Sequence, residues 1–129
     1  MSDAEMDPEV IELATKVFAA ARSGDGDALA AYIDAGVPVN LTNERGDTLL
    51  MLAAYHGHST AVRTLLDKGA DPNRVNDRGQ TPLAGVVFKG EDEIVRILVA
   101  AGADPDAGTP SARDSATMFG KAELLALFG

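Results

Sequence analysis

The amino-acid sequence predicts an all-α solenoid, in which small helical units stack side by side around one continuous core. The main observation is a period of about 33 residues along most of the 129-residue chain, with two apolar helical stripes in each period. A unit of this size cannot bury its own apolar face, so neighbouring units must pack together. The positions that keep the step are Gly36, Gly69 and Gly102; Asn40, Asn73 and Asp106; Thr15, Thr48 and Thr81; and Gly24, Gly57 and Gly90.

The first unit, at about residues 7–42, starts with a long helix and has no hairpin before it. Asp7 is a suitable N-cap, and Pro8 suits the first helical position because its missing N–H costs nothing there. Thr15 would then lie inside this helix. The predicted buried face of the helix comprises Val10, Ile11, Ala14, Val17, Phe18 and Ala21. A second helix would carry Leu29, Tyr32 and Ile33.

The two central units, at about residues 43–75 and 76–108, show the pattern most clearly. Thr48 and Thr81 are good helix N-caps, and Pro82 follows at the first helical position. Within each unit, a glycine able to adopt positive φ separates two helices, at Gly57 and Gly90. The second helix of the earlier unit has a stripe at i, i+3 and i+4, formed by Val62, Leu65 and Leu66. Turn-forming residues such as Asn76-Asp77-Arg78-Gly79 predict a short two-armed β-like hairpin between units.

The last unit, at about residues 109–129, is three residues shorter than the others. The step from Gly90 to Gly120 is shorter by that amount than the step from Gly57 to Gly90, which places the deletion in the last hairpin. Ser111 then becomes the helix cap, and Ala116-Thr117 becomes the pair of small residues at a close helix contact. We therefore predict four units, of which the two at the ends are atypical caps.

The repeated unit resembles the ankyrin repeat, a helix–turn–helix–hairpin of about 33 residues. Thr81-Pro82-Leu83 matches the family's T-P-L motif, and the resemblance covers about residues 10–129. The family usually has His after T-P-L, where this chain has Met51 and Ala84. The sequence therefore lacks the side chain that forms hydrogen bonds between hairpins in the family.

The resemblance implies that a protein partner binds along a concave face made of hairpin tips and the exposed sides of the first helices. At the matching positions, the candidate partner-binding residues are Arg22, Glu44, Arg45, Asp47, Tyr55, His56, Asp77, Arg78, Gln80, Phe88, Lys89 and Met118. Four of them form one row across the stack: Arg22, Tyr55, Phe88 and Met118. Aromatic and Arg side chains are enriched at binding hot spots.

We therefore predict a groove centred on Tyr55 and Phe88, with Arg45, Arg78 and Lys89 at its edge. The alternative is that the large side chains of the row fold over neighbouring helices and complete the packing.

Composition excludes several other kinds of function. The net charge is −9, which is unfavourable for binding nucleic acid or an anionic membrane. Residues 1–34 carry −6 of this charge, which predicts a solvated end or a surface that attracts a basic partner. There is no cysteine, no apolar signal-peptide core and no apolar stretch long enough to span a membrane, so we expect a cytoplasmic protein. Residues 1–6 are acidic and lack apolar anchors, which predicts a frayed tail.

No pattern in the chain predicts catalysis, a cofactor or a metal site. His56 and His58 lack the further ligands of a zinc site, and Asp25-Gly26-Asp27 lacks the remaining ligands of a calcium loop. Ser59 begins a predicted helix and has no oriented base beside it. We therefore expect a protein that is not an enzyme.

Three functions remain open. The first is a protein-interaction module, acting by inhibition, stabilisation or scaffolding of an unidentified partner. The second is self-association through an exposed apolar patch, so that a homodimer is an alternative to the expected monomer. The residues of that patch would be Tyr55, Phe88, Met118, Leu127 and Phe128. The third follows from the resemblance alone: small bacterial ankyrin proteins are sometimes linked to catalase and oxidative stress, and the composition looks bacterial.

Overall fold

The structure is a computed structural model that describes residues 8–129, and these residues fold into four successive pairs of helices. The predicted N-cap Asp7 and the predicted frayed tail at residues 1–6 lie outside the described residues. The helices are α1 (Pro8–Ser23), α2 (Gly26–Asp34), α3 (Leu49–Tyr55), α4 (Ser59–Asp67), α5 (Pro82–Lys89), α6 (Asp92–Ala100), α7 (Ala112–Met118) and α8 (Ala122–Phe128). The division of the chain into units at 7–42, 43–75, 76–108 and 109–129 stays a prediction.

The helices form two layers, which confirms the predicted all-α solenoid. The first helix of each pair packs against the first helix of the next pair, giving one layer of α1, α3, α5 and α7. The second helices α2, α4, α6 and α8 form the other layer in the same way. Apolar side chains fill the space between the layers, and Leu29, Leu49, Leu65, Leu83 and Leu98 are fully buried there.

Hydroxyl side chains cap three of the first helices, as the sequence predicts. Thr48 Oγ1 accepts a hydrogen bond from the backbone N–H of Met51, and Thr81 Oγ1 accepts one from Ala84, both at 3.1 Å. Ser111 caps α7 in the same way, with 3.1 Å between its Oγ and the Asp114 nitrogen. Each cap satisfies a donor that the helix itself cannot pair, which is worth about 1 kcal/mol.

The turns between the two helices of a pair depend on glycine. Gly57 and Gly90 both have φ of +78°, a conformation that costs other residues steric strain. At Gly90 this turn lets the Glu91 nitrogen bond back to the Val86 carbonyl at 2.9 Å, and α6 then starts at Asp92. The predicted glycine turns are confirmed.

The predicted hairpins are reduced to tight turns in the structure. Among the described residues, the β-structure is one isolated antiparallel bridge between Thr42 and Thr48. The tip of this turn closes through the Asn43 nitrogen bonded to the Asp47 carbonyl at 3.0 Å. Because a helix begins at Leu49, the arm after the tip is too short to form a ladder.

Two predictions at the ends of the stack are wrong, and the first concerns the start of α1. Val10 and Ile11 are exposed, whereas Val17 and Ala21 further along α1 are fully buried. Helix α1 has 16 residues and its neighbour α3 has 7. At 1.5 Å per residue, the first turns of α1 extend about 12 Å beyond α3, where no other helix of residues 8–129 belongs to the same layer.

The second wrong prediction concerns the close helix contact at Ala116-Thr117, where only Ala116 is buried. Ala116 is fully buried in the core. Thr117 is exposed, and its hydroxyl donates to the Arg113 carbonyl at 2.9 Å. Helix α7 is the last in its layer among the described residues, so no further helix packs over Thr117.

Candidate protein-binding groove

A groove of about 520 Å³ runs between the turn tips and the layer of first helices. The tips of two consecutive turns, at residues 43–47 and 76–80, form one wall. Helices α3 and α5 form the floor, and the start of the last unit closes one end. The residues that line it are Arg45, Asp47, Tyr55, Asn76, Arg78, Gln80, Ala84, Gly85, Phe88, Lys89, Pro110 and Ser115. The groove therefore lies between units and belongs to no single one.

The floor is shaped by one aromatic ring and one glycine. A Cβ placed on Gly85 would overlap the ring of Tyr55, so the absence of a side chain on α5 lets the ring lie against the helix. The Tyr55 hydroxyl donates to the Thr81 carbonyl at 3.2 Å. Burial, and then the nearby Asp47 carboxylate, raise the pKa of Tyr55 above its usual range. Tyr55 is therefore a neutral, packed side chain that ties two units together.

A buried asparagine locks the two tips that form the wall. The Asn76 side-chain oxygen accepts from the backbone nitrogens of Arg78 at 2.9 Å and Gln80 at 3.0 Å. Its amide nitrogen donates to Asp47 Oδ1 of the preceding tip at 2.8 Å and to Gln80 Oε1 at 2.9 Å. The Asp77 nitrogen also bonds to the Arg45 carbonyl at 3.0 Å. These bonds link neighbouring tips without the histidine that is usual in the family.

Three cationic side chains surround the groove. Arg45, Arg78 and Lys89 are all exposed. Within residues 8–129, no carboxylate oxygen lies within 4 Å of their charged nitrogen atoms. The one acidic residue of the lining, Asp47, accepts its hydrogen bond from Asn76. The groove therefore presents unpaired positive charge to solvent.

Large apolar side chains are exposed at the ends of α5 and α7. Phe88 is 70% exposed and Met118 is 72% exposed, so most of each apolar side chain is in contact with solvent. The ring of Phe88 meets the ring of Phe119 edge to face, with 5.6 Å between centroids. We call Phe88, Met118 and Phe119 the apolar rim. Exposed aromatic surface next to unpaired cations is a common composition for an interface.

The structure brings together seven of the twelve residues predicted from the sequence. Those in the lining are Arg45, Asp47, Tyr55, Arg78, Gln80, Phe88 and Lys89. Those outside it are Arg22, Glu44, His56, Asp77 and Met118. Arg22 belongs to the first unit, and the His56 ring is held by the Leu52 carbonyl, 2.9 Å from its Nδ1. Whether any of the twelve contacts a partner stays a prediction.

Five lining residues were not predicted from the sequence, and of these Asn76 and Gly85 matter most for the shape of the groove. Asn76 and Asn43 lie one full repeat step apart, and the two make the same bonds within their own turns. That spacing in the sequence could have identified Asn76 as a residue of the wall. No feature of the sequence identifies the role of Gly85, because a lone glycine in a helical pattern does not indicate which ring it accommodates. The other three missed residues are Ala84, Pro110 and Ser115.

The two histidines have structural partners. His58 Nε2 donates to the Arg22 carbonyl of the preceding unit at 2.7 Å, and the rings of His56 and His58 stack at 6.4 Å. Within residues 8–129 there is no group of three or more His, Asp or Glu placed to hold a metal ion. In the same range, no helix is long and apolar enough to cross a membrane.

Comparison with known proteins agrees with this architecture. A family model described as "Ankyrin repeats (3 copies)" matches residues 17–109. The chain is also similar to PA3287 of Pseudomonas aeruginosa, named as an ankyrin repeat protein, with 44% identity over 50 residues. That alignment covers 39% of this chain and 29% of the relative, so the chain spans under a third of that protein's length. Ankyrin repeats are in general non-catalytic protein-interaction modules. With most of its length matched by the family model, the chain belongs to the ankyrin repeat family.

Proposed function

We propose that this protein is an interaction module that docks a segment of another protein in the groove between its second and third units. The observation that carries the proposal is the convergence of exposed Phe88 with the unpaired cations Arg45, Arg78 and Lys89. Interfaces derive most of their binding energy from a few aromatic and Arg side chains. Association with an oxidative-stress enzyme such as catalase would be one instance of such docking.

The groove is suited to rigid docking. Its wall is fixed by the Asn76 hydrogen bonds, and its floor by the contact of Tyr55 with Gly85. A surface that is already ordered loses little conformational entropy when a partner binds. Phe88 and Lys89 are left exposed to contact the partner.

Self-association is a second candidate, favoured by the exposure of the apolar rim. Two exposed aromatic rings on one side of the stack offer a patch that a second copy of the chain can cover. The C-terminal part of the patch is weaker than the sequence suggests, because Leu127 and Phe128 are half-buried against the core. Sedimentation velocity over a wide range of protein concentration tests this candidate directly.

The docking proposal is tested by selecting peptides from a random displayed library on the wild-type protein. Enriched peptides are then measured against Phe88→Ala/Lys89→Ala and against Arg96→Ala. Phe88 and Lys89 are exposed, so their truncation should leave the fold intact. Arg96 is an exposed control on α6, in the other helix layer.

The proposal predicts that most enriched peptides bind wild type and Arg96→Ala equally but lose affinity for the groove variant. Peptides that bind all three proteins alike would place the interface elsewhere and overturn the proposal. Circular dichroism of each variant distinguishes loss of binding from loss of structure.

A further inference from the structure

The charge of the groove is opposite to the charge of the chain. The protein carries −9 overall, from 20 acidic and 11 basic residues. The lining holds three cations and one carboxylate, which gives a local charge of +2. The acidic tip residues Glu44 and Asp77 do not line the groove. A positive groove on a negative protein is a local feature that bulk composition conceals.

None of the three cations of the groove forms an ion pair with a carboxylate of residues 8–129. Five Lys or Arg side chains form ion pairs within the described residues, for example Lys68 with Asp34 at 2.7 Å. Six form none in that range, and three of these six line the groove: Arg45, Arg78 and Lys89. The chain has ample acidic residues to neutralise them, yet the one in the lining, Asp47, is bonded to Asn76. The positive charge thus remains available to an external anion.

Apolar surface borders this charge closely. Phe88 and Lys89 are consecutive residues, and Phe88 and Pro110 both line the groove. The edge-to-face contact between Phe88 and Phe119 extends the apolar surface towards the last unit. A ligand that matched only the charges would leave this aromatic surface in water, and a purely apolar ligand would leave the cations unpaired. The complementary ligand carries both kinds of group.

We infer that the groove binds an acidic segment of another protein, in which carboxylates flank at least one aromatic or large aliphatic side chain. The carboxylates lie near Arg45, Arg78 and Lys89, and the apolar side chain packs on Phe88. Arg offers planar, two-pronged pairing with a carboxylate, so Arg45 and Arg78 also orient the segment. This inference rests on the proposed docking function and adds the chemistry of the partner to it.

The test uses three fluorescein-labelled synthetic peptides with one apolar pattern and different charges. The acidic peptide is Gly-Asp-Glu-Phe-Glu-Asp-Leu-Gly; the second has Asn and Gln in place of the acids, and the third has Lys and Arg. Fluorescence anisotropy gives the Kd of each for the wild-type protein. We expect the acidic peptide to bind most tightly and to weaken as the salt concentration rises, because exposed charge pairs are screened.

Charge-reversal variants then locate the binding site. Arg78→Glu/Lys89→Glu should weaken binding of the acidic peptide by about 10-fold or more, since attraction becomes repulsion at two positions. The matched control is Arg74→Glu/Arg96→Glu, which changes the net charge by the same amount at two exposed positions outside the lining. This control should change the Kd by less than about threefold, because its charges act only at long range.

Each other outcome overturns a definite part of the proposal. If the uncharged or the basic peptide binds as tightly as the acidic one, and Phe88→Ala weakens it, docking stands and the acidic partner is wrong. If the acidic peptide fails to bind at about 1 mM, the inference is also wrong. Equal losses in both charge-reversal variants would place binding outside the groove and remove the docking proposal as well. A protein dimer that dissociates in Arg78→Glu/Lys89→Glu would make the occupant a second copy of the chain and overturn the inference.

Discussion

At the scale of single residues, the groove depends on the fit between Tyr55 and Gly85. The sequence places Tyr55 and Phe88 at equivalent positions of successive units and predicts the same role for both. The structure separates them: Tyr55 is packed and hydrogen-bonded, whereas Phe88 is 70% exposed. The difference arises because the next unit offers Gly85 beneath Tyr55, whereas the equivalent position beneath Phe88 is Ser115 of the shortened unit. The packing alternative therefore describes Tyr55, whereas the role of the exposed Phe88 in binding a partner stays a prediction.

The contact between Tyr55 and Gly85 is tested by the effect of Gly85→Ala on stability, which should change sign when Tyr55 is removed. We predict that Gly85→Ala lowers the free energy of unfolding by about 1–3 kcal/mol, because the new methyl group overlaps the ring. In a Tyr55→Ala background, the same substitution should raise it by about 0.5–1 kcal/mol, because alanine is the better helix former. Urea unfolding of the four proteins measures both changes. The same sign in both backgrounds would contradict the contact.

At the scale of elements, the connections between units were the part least predictable from the sequence. The helices, the hydroxyl caps Thr48, Thr81 and Ser111 and the glycine turns follow from local patterns, and the structure has them where the sequence predicts. The hairpins, the exposed Val10 and Ile11, and the roles of the asparagines depend on which surfaces meet between units. Local propensity carries no information about those contacts. The repeat step marked Asn43 and Asn76 as equivalent, but did not show which carboxylate Asn76 would reach.

A comparison of two asparagines tests how much the Asn76 amide nitrogen, which bonds to its own turn and to the preceding tip, stabilises the fold. Asn43 and Asn76 accept the same two bonds within their own turns, and the Asn76 amide nitrogen adds one bond to Asp47 of the preceding tip and one to Gln80 of its own turn. Asn76→Ala should therefore lower the free energy of unfolding by about 1–2 kcal/mol more than Asn43→Ala. Thermal and urea unfolding of both variants provide the measurement. Equal losses would mean that neither bond of the Asn76 amide nitrogen contributes to stability.

The last unit is held to its neighbour by an ion pair that makes its stability depend on pH. Arg113 Nε lies 2.7 Å from Asp106 Oδ1, and this hydrogen bond lowers the pKa of the Asp106 carboxyl below its usual value. The pair therefore stabilises the folded protein above the unfolded pKa of Asp106, and this contribution is lost as the pH falls through the lower, folded pKa.

The Asp106→Asn variant tests this dependence. We predict that wild type melts at a higher temperature than Asp106→Asn near neutral pH, and that the gap closes in acid as the wild-type carboxyl becomes protonated. Melting curves of both proteins over a series of pH values supply the measurement. A gap of constant size at every pH would show that the charge of Asp106 is not the cause.

At the scale of the whole molecule, stacking determines both the fold and the place where function can lie. A repeat protein has an interface between every pair of units, and here one of these interfaces opens into a groove. The period and the family resemblance were enough to predict the solenoid and seven of the groove residues. They could not predict that the groove would be positive, because that depends on which carboxylates the tips use for their own hydrogen bonds.

The central claim is that a partner docks in this groove, and site-specific photo-crosslinking tests it most directly. A benzophenone amino acid replaces Phe88 in one protein and exposed Arg96 in another, and each is irradiated in a lysate of the source organism. We predict covalent adducts with another polypeptide from position 88 and none from position 96. Adducts from position 96 alone, or adducts at position 88 with the mass of two copies of this chain, would contradict the claim.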